Sequence, residues 1–147
     1  MHPILLLVAL FVFGCASTST LNYEELSSTA RSGGQVDVGD LRKAFLASPD
    51  FPQRMKRLRE LETEVIGFIE EEPLRLGPIG TAILDQYHGS LAGHYALATF
   101  YDHLGSANSA TIHKQWVLRI RTDLESEDDG TRKSPYSVLS ASEAMAY

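Results

Sequence analysis

Four histidines, His88, His94, His103 and His113, fall in one stretch that also holds Asp85 and Asp102. Imidazoles beside carboxylates are the raw material of acid–base catalysis and of metal ligation. A metal site needs three or four ligands that converge, with nitrogen about 2.0–2.1 Å from zinc. His94 and His103 are nine residues apart, which on one helix sets them on opposite sides. His94 and His113 belong to successive predicted helices and are placed to meet across the seam between them. The chain has no HExxH arrangement. A buried, hydrogen-bonded imidazole, or an exposed one, is the plainer reading of each ring. Ser90 follows His88 and Gly89, but HGS is not the GxSxG elbow that strains a serine between strand and helix. Gly89 reads as a turn residue and Ser90 as a helix cap. No catalytic residue, cofactor or metal is assigned. Asp123, Glu125, Glu127, Asp128 and Asp129 form an acidic stretch without the alternating ligands of a calcium loop, and read as a solvated connector. Arg132 and Lys133 offset part of its charge.

The elements that must position these groups belong to a chain of 147 residues with formal net charge -6, the size of one domain. No basic tract is present of the kind that tracks a phosphate backbone, which argues against nucleic acid as the main partner. Clusters of apolar residues between positions 41 and 120 argue against a wholly disordered chain.

At the amino end, every side chain from Ile4 to Phe13 is apolar, and Gly14, Cys15 and Ala16 follow. The run is shorter than the roughly 20 residues that cross a bilayer and matches the apolar region of an export signal. VFGC resembles the lipobox of bacterial lipoproteins: Val12, Gly14 and Cys15 fit the pattern, while Phe13 is bulkier than usual and the amino end lacks Lys or Arg. The resemblance implies that residues 1–14 are a removed signal peptide and that Cys15 carries diacylglycerol, its new amine often acylated as well, with palmitate among the expected chains. Ala16 resembles the position that permits transfer to the outer membrane, so a lipid-anchored envelope protein facing the periplasm is implied. Cys15 is the only cysteine, so an internal disulfide is excluded and an exposed free thiol in an exported domain would be a liability. An ordinary cleaved leader ending near Ala16 is the alternative.

Residues 15–35, polar and rich in small side chains, are expected to form a flexible tether, followed by a mainly helical domain over 36–147. Asp40 can cap a short helix through Ala47. Over 51–72, Met55, Leu58, Leu61, Val65 and Phe68 recur at three- and four-residue intervals, the spacing of an amphipathic helix. Its cations come early and its carboxylates late, against the helix dipole, so packing must dominate. A loop with Gly77 and Pro78 leads to a short helix through Tyr87. A helix over 91–104 ends at Gly105, with Leu91, Tyr95, Ala98 and Tyr101 on one face, and Ser106 or Asn108 starts the next.

Residues 91–121, with Leu97-Ala98, Tyr101, Leu104-Gly105 and Ala110, resemble one tetratricopeptide repeat. One period upstream the pattern fails, so a single repeat-like hairpin inside a small helical bundle is expected, not a solenoid. VDVGDLRKAFLASPDF, the YHGSLAGHYALATFYDHLGS block and DDGTRKSPYSVLSASEA also resemble a family of small exported bacterial proteins that brings no catalytic assignment. That resemblance implies a helical core followed by a turn at Asp129-Gly130-Thr131, a short strand over 135–140 and a further terminal element that 147 residues would leave short.

Two functions of different class are carried forward. One is a lipid-anchored accessory module that recognises an envelope protein or peptide through Tyr95, Tyr101, His103, His113 and Trp116, although Tyr87, Tyr95, Tyr101 and Trp116 fit core packing equally well. The other is an envelope hydrolase or metal-dependent enzyme using His94 with His113 and a nearby carboxylate. A purely structural accessory is the third possibility.

Overall fold

Short polar side chains set where the helices begin. Asn22 Oδ1 accepts from the Glu24 amide at 3.0 Å, Asp37 Oδ1 from Asp40 at 2.9 Å and Ser90 Oγ from Gly93 at 3.2 Å. The computed structural model describes residues 22–69, 72–127, 130–133, 135 and 137–145. These form an all-α bundle: α1 (Tyr23–Arg31), α2 (Val38–Leu46), α3 (Phe51–Phe68), α4 (Leu76–Gln86), α5 (Leu91–His103), α6 (Ala107–Glu127) and α7 (Ala141–Ala144). A 3-10 turn over Pro73–Arg75 precedes α4. No helix among the described residues is long and apolar enough to cross a membrane. The expected signal peptide and Cys15 lie outside the described residues.

Of the expected tether over 15–35, residues 15–21 lie outside the described residues and Tyr23–Arg31 form α1. Tyr23, Ser27 and Ala30 fall on one face and are buried. The Tyr23 hydroxyl donates to the Gln86 carbonyl and accepts from the His88 amide, both at 3.1 Å. Its ring joins Phe45, Phe51 and Tyr87 in an aromatic cluster, with Phe45 stacked on Tyr87 at 4.3 Å. The buried face, the two Tyr23 hydrogen bonds and the ion pairs of Glu24 with Arg54 and Arg31 with Asp85 fix this short helix to the body.

α3 buries Met55, Leu58, Leu61 and Val65, as the spacing predicts, and runs to Phe68; residues 70 and 71 of the expected span lie outside the described residues. The early cations are accommodated by neighbours. Arg54 pairs with Asp50 at 2.5 Å and with Glu24, and donates to the carbonyls of Asp85 and Gln86 at 3.1 and 3.2 Å.

Gly77 and Pro78 belong to the first turn of α4 and not to a loop, because proline lacks only an amide that has no partner there. Farther along, α4 and α5 approach closely. A Cβ at Gly80 would lie 2.8 Å from Leu97, and one at Gly93 2.6 Å from Leu84.

α5 does not bury a single face. Leu91, Ala92, Gly93, His94, Ala96, Leu97 and Ala98 are all buried, since the helix lies between α4 and α6, while Tyr95 is 47% exposed. Ala98 and Ala110 are buried in the α5–α6 hairpin as close-packing residues, and Gly105 between them has the left-handed φ of +72° that its stop position requires.

The expected strand over 135–140 is not formed: there is no strand among the described residues, and positions 137–140 run irregularly into α7. Glu143 explains why. Its Oε2 accepts from the Leu139 amide at 2.6 Å and pairs with Arg42 of α2 at 3.0 Å, and Arg42 also bonds the Ser137 carbonyl. The backbone is held by Glu143 of α7 and by Arg42 of α2.

Candidate functional site

Two sites contain groups of chemical interest. The first is the seam between α5 and α6. His94, in the first turn of α5, is 1% exposed, with its Nε2 2.8 Å from the His88 carbonyl and its Nδ1 3.0 Å from Nδ1 of His113 on α6. A carbonyl can only accept, so Nε2 of His94 carries the proton and Nδ1 the lone pair. His113 must then donate through Nδ1–H, which leaves its Nε2 without a hydrogen bond among the described residues.

Flat rings stack around this contact. His94 lies on Trp116 at 5.0 Å with planes 1° apart, Tyr101 lies on His113 at 5.6 Å, and the Arg119 guanidinium also lies over Trp116, at 4.2 Å. His88 meets both His94 and Trp116 edge-on, at 5.3 and 5.1 Å. Burial holds the His94 imidazole well below its ordinary pKa, pushes His88 down to about 4 and lowers His113. All three are neutral rings at neutral pH. Both nitrogens of His88 are buried with no partner among the described residues.

The seam brings His94 and His113 within hydrogen-bond reach, but in an arrangement that uses up His94. No carboxylate among the described residues bonds either ring; Asp85 pairs with Arg31 and Asp102 with Lys114. No group of three or more His, Cys, Asp or Glu among the described residues is placed to hold a metal. Ser90 caps α5 with the same hydroxyl that a nucleophile would need.

The five residues expected on an interaction face differ in exposure. Tyr101 and His113 are half-buried in the stack, and Trp116 is not at the surface at all: it is 7% exposed because His94, His88 and Arg119 cover it. His103 is exposed near the end of α5. Tyr95 belongs to the second site.

That site is a cleft of about 420 Å³ where α3, α5, α6 and the C-terminal segment meet. Its walls are apolar, with Val65, Ile66, Ile69, Leu91, Ala92, Val117 and Met145, and Tyr95 joins them. Ile66, Tyr95 and Met145 are 61%, 47% and 64% exposed, so the apolar lining continues onto the surface. Glu62 also lines the cleft and is only 6% exposed. Its Oε1 accepts from Ser142 Oγ at 3.1 Å and from Ser90 Oγ at 3.3 Å, and Ser142 Oγ is 2.8 Å from Ser140 Oγ. Burial raises the Glu62 carboxyl above its ordinary pKa, against the pull of these hydroxyls. Sequence reasoning passed over Glu62, although a signal existed: it stands four residues after Leu58 and three before Val65, on the apolar stripe itself.

Comparison of the chain with protein-family models, with curated proteins and with solved structures gives no match.

Proposed function

We propose that this chain is an exported accessory module, anchored through lipid on Cys15 in the bacterial cell envelope, at the outer membrane facing the periplasm, and that it binds a peptide segment of an envelope partner. The single observation that supports the binding role most is the open apolar cleft at Ile66, Tyr95 and Met145. Large apolar side chains gathered around a concavity at a surface are the material of peptide recognition. The anchor rests on the apolar leader and the VFGC pattern. The hydrolase reading has weaker support, since the His94 lone pair is occupied by His113 and its proton by a carbonyl.

A photo-crosslinking residue placed at Tyr95 in the full chain, expressed in cells, tests the binding role, with Cys15→Ser as the companion for the anchor. The expected result is a discrete crosslinked envelope species from position 95 and none from the exposed control position Thr111. Cys15→Ser is expected to remove the acyl mass and release the protein from the membrane fraction. Equal crosslinking from both positions, or an unmodified Cys15 in the native protein, would overturn the corresponding half of the proposal.

A further inference from the structure

Two carboxylates, Glu62 and Glu143, are buried beside the C-terminal segment, Glu62 through Ser142 and Glu143 through the Leu139 amide, and among the described residues only Glu143 has a guanidinium partner. Arg42 takes Glu143, with contacts of 3.0 and 3.3 Å. Glu62 is left with hydroxyls, and among the described residues no cation pairs with it. A buried charge without a counter-charge is costly, and proteins ordinarily pair it. Glu62 differs from a sealed core carboxylate in lining a cleft that opens to the surface. The missing positive charge therefore has a route in.

The geometry also selects the kind of cation. The Ser90 and Ser142 hydroxyls donate to Oε1 and the Ser140 hydroxyl also faces the carboxyl, so little of it is left for a second partner. A guanidinium fork works best against two available oxygens, whereas an ammonium is a compact point charge satisfied by one. The approach to Glu62 passes Val65, Leu91 and Ala92, which suit a methylene stem. Arg121 at the rim is engaged by Glu125 at 3.6 Å, which moderates its repulsion of an incoming cation.

We infer that Glu62 is the counter-ion for the ammonium group of a lysine side chain on the bound peptide, with the apolar neighbours of that lysine filling the outer cleft. This rests on the peptide-binding reading above and adds a rule of selection to it. The acidity of the whole chain, formal net charge -6, favours the same sign of partner.

The test is a solution NMR titration of the full chain with three blocked peptides: acetyl-Leu-Lys-Leu-amide, the same peptide with norleucine for lysine, and the same with Nε-acetyl-lysine. Norleucine keeps an apolar stem and lacks the ammonium. The lysine peptide is expected to bind at least about tenfold more tightly than either analogue, moving the amides of Tyr95 and Met145. Glu62→Gln is expected to bring the lysine peptide to the norleucine level. Should that variant not fold, titration of the native protein at falling pH serves instead, and the lysine preference is expected to disappear as Glu62 takes up a proton. Equal binding of lysine and norleucine peptides to the native protein, or a preference that survives Glu62→Gln or acidification, overturns the inference and leaves the cleft as a peptide site. Absence of binding by all three peptides overturns the inference and the peptide reading together.

Discussion

Nδ1 of His94 faces Nδ1 of His113 at 3.0 Å, and because the opposite nitrogen of His94 is held by the His88 carbonyl, the proton in this contact belongs to His113. The pair is a directional hydrogen bond across the hairpin, made between two neutral rings. Protonating His94 would put a donor against a donor inside a packed stack with Trp116.

Acid should therefore destabilise the fold through these rings. An unfolded histidine has a pKa of about 6.5, whereas burial holds His88 at about 4 and lowers His94 and His113. Between those values the unfolded chain binds protons that the native state refuses, so stability is intact above about pH 6.5 and falls as pH falls. His88 alone accounts for about 2 kcal/mol between pH 7.5 and 5. Glu62, raised by burial, acts in the opposite sense, its contribution being greatest in acid and lost as pH rises. Urea unfolding at the two pH values measures the net effect. A lower midpoint is expected at pH 5, with a smaller difference in His88→Leu, and equal midpoints in the native protein would refute the assignment.

Arg42 and Glu143 hold the C-terminal segment to α2 with side chains 11% and 2% exposed. Removing one partner strands a buried charge, and Arg42→Met is expected to cost about 3–5 kcal/mol. Changing both to Met is expected to cost much less than the two single changes summed. A double-mutant cycle in denaturant reads the coupling, and limited proteolysis after residue 130 should accelerate in the single variants.

Two helical glycines should respond oppositely to alanine. At Gly93 the added methyl meets Leu84 and Ile83 at 2.6 and 2.7 Å, so Gly93→Ala should destabilise by about 1–3 kcal/mol. At Gly67 no atom of the described residues lies within 4 Å, and Gly67→Ala should stabilise by about 0.5–1 kcal/mol through helix propensity. Thermal midpoints of the two variants should move in opposite directions.

The all-α class, the α3 stripe, the Ser90 cap, the Gly105 stop and the approach of His94 to His113 were legible because each rests on local spacing or on one antiparallel pairing. α1 was not, since two of its three buried residues are Ser27 and Ala30, whose small side chains register weakly in an apolar pattern. The burial of α5 on nearly all sides depends on α4 and α6 flanking it, which no periodicity within one helix encodes. Glu62 was hidden for a related reason. A carboxylate on an apolar stripe reads as an interruption until Ser90 and Ser142 arrive from distant parts of the chain to receive it.

The docking of α1 onto the body changes the reach of any anchor at Cys15. Only seven residue steps separate Cys15 from the Asn22 cap of α1, at most about 25 Å of fully extended chain at roughly 3.6 Å each. A domain beginning at residue 36 would have had three times that leash. A molecule acylated at Cys15 would ride within about one domain diameter of its bilayer, and could meet only those partners that come close to the same lipid surface.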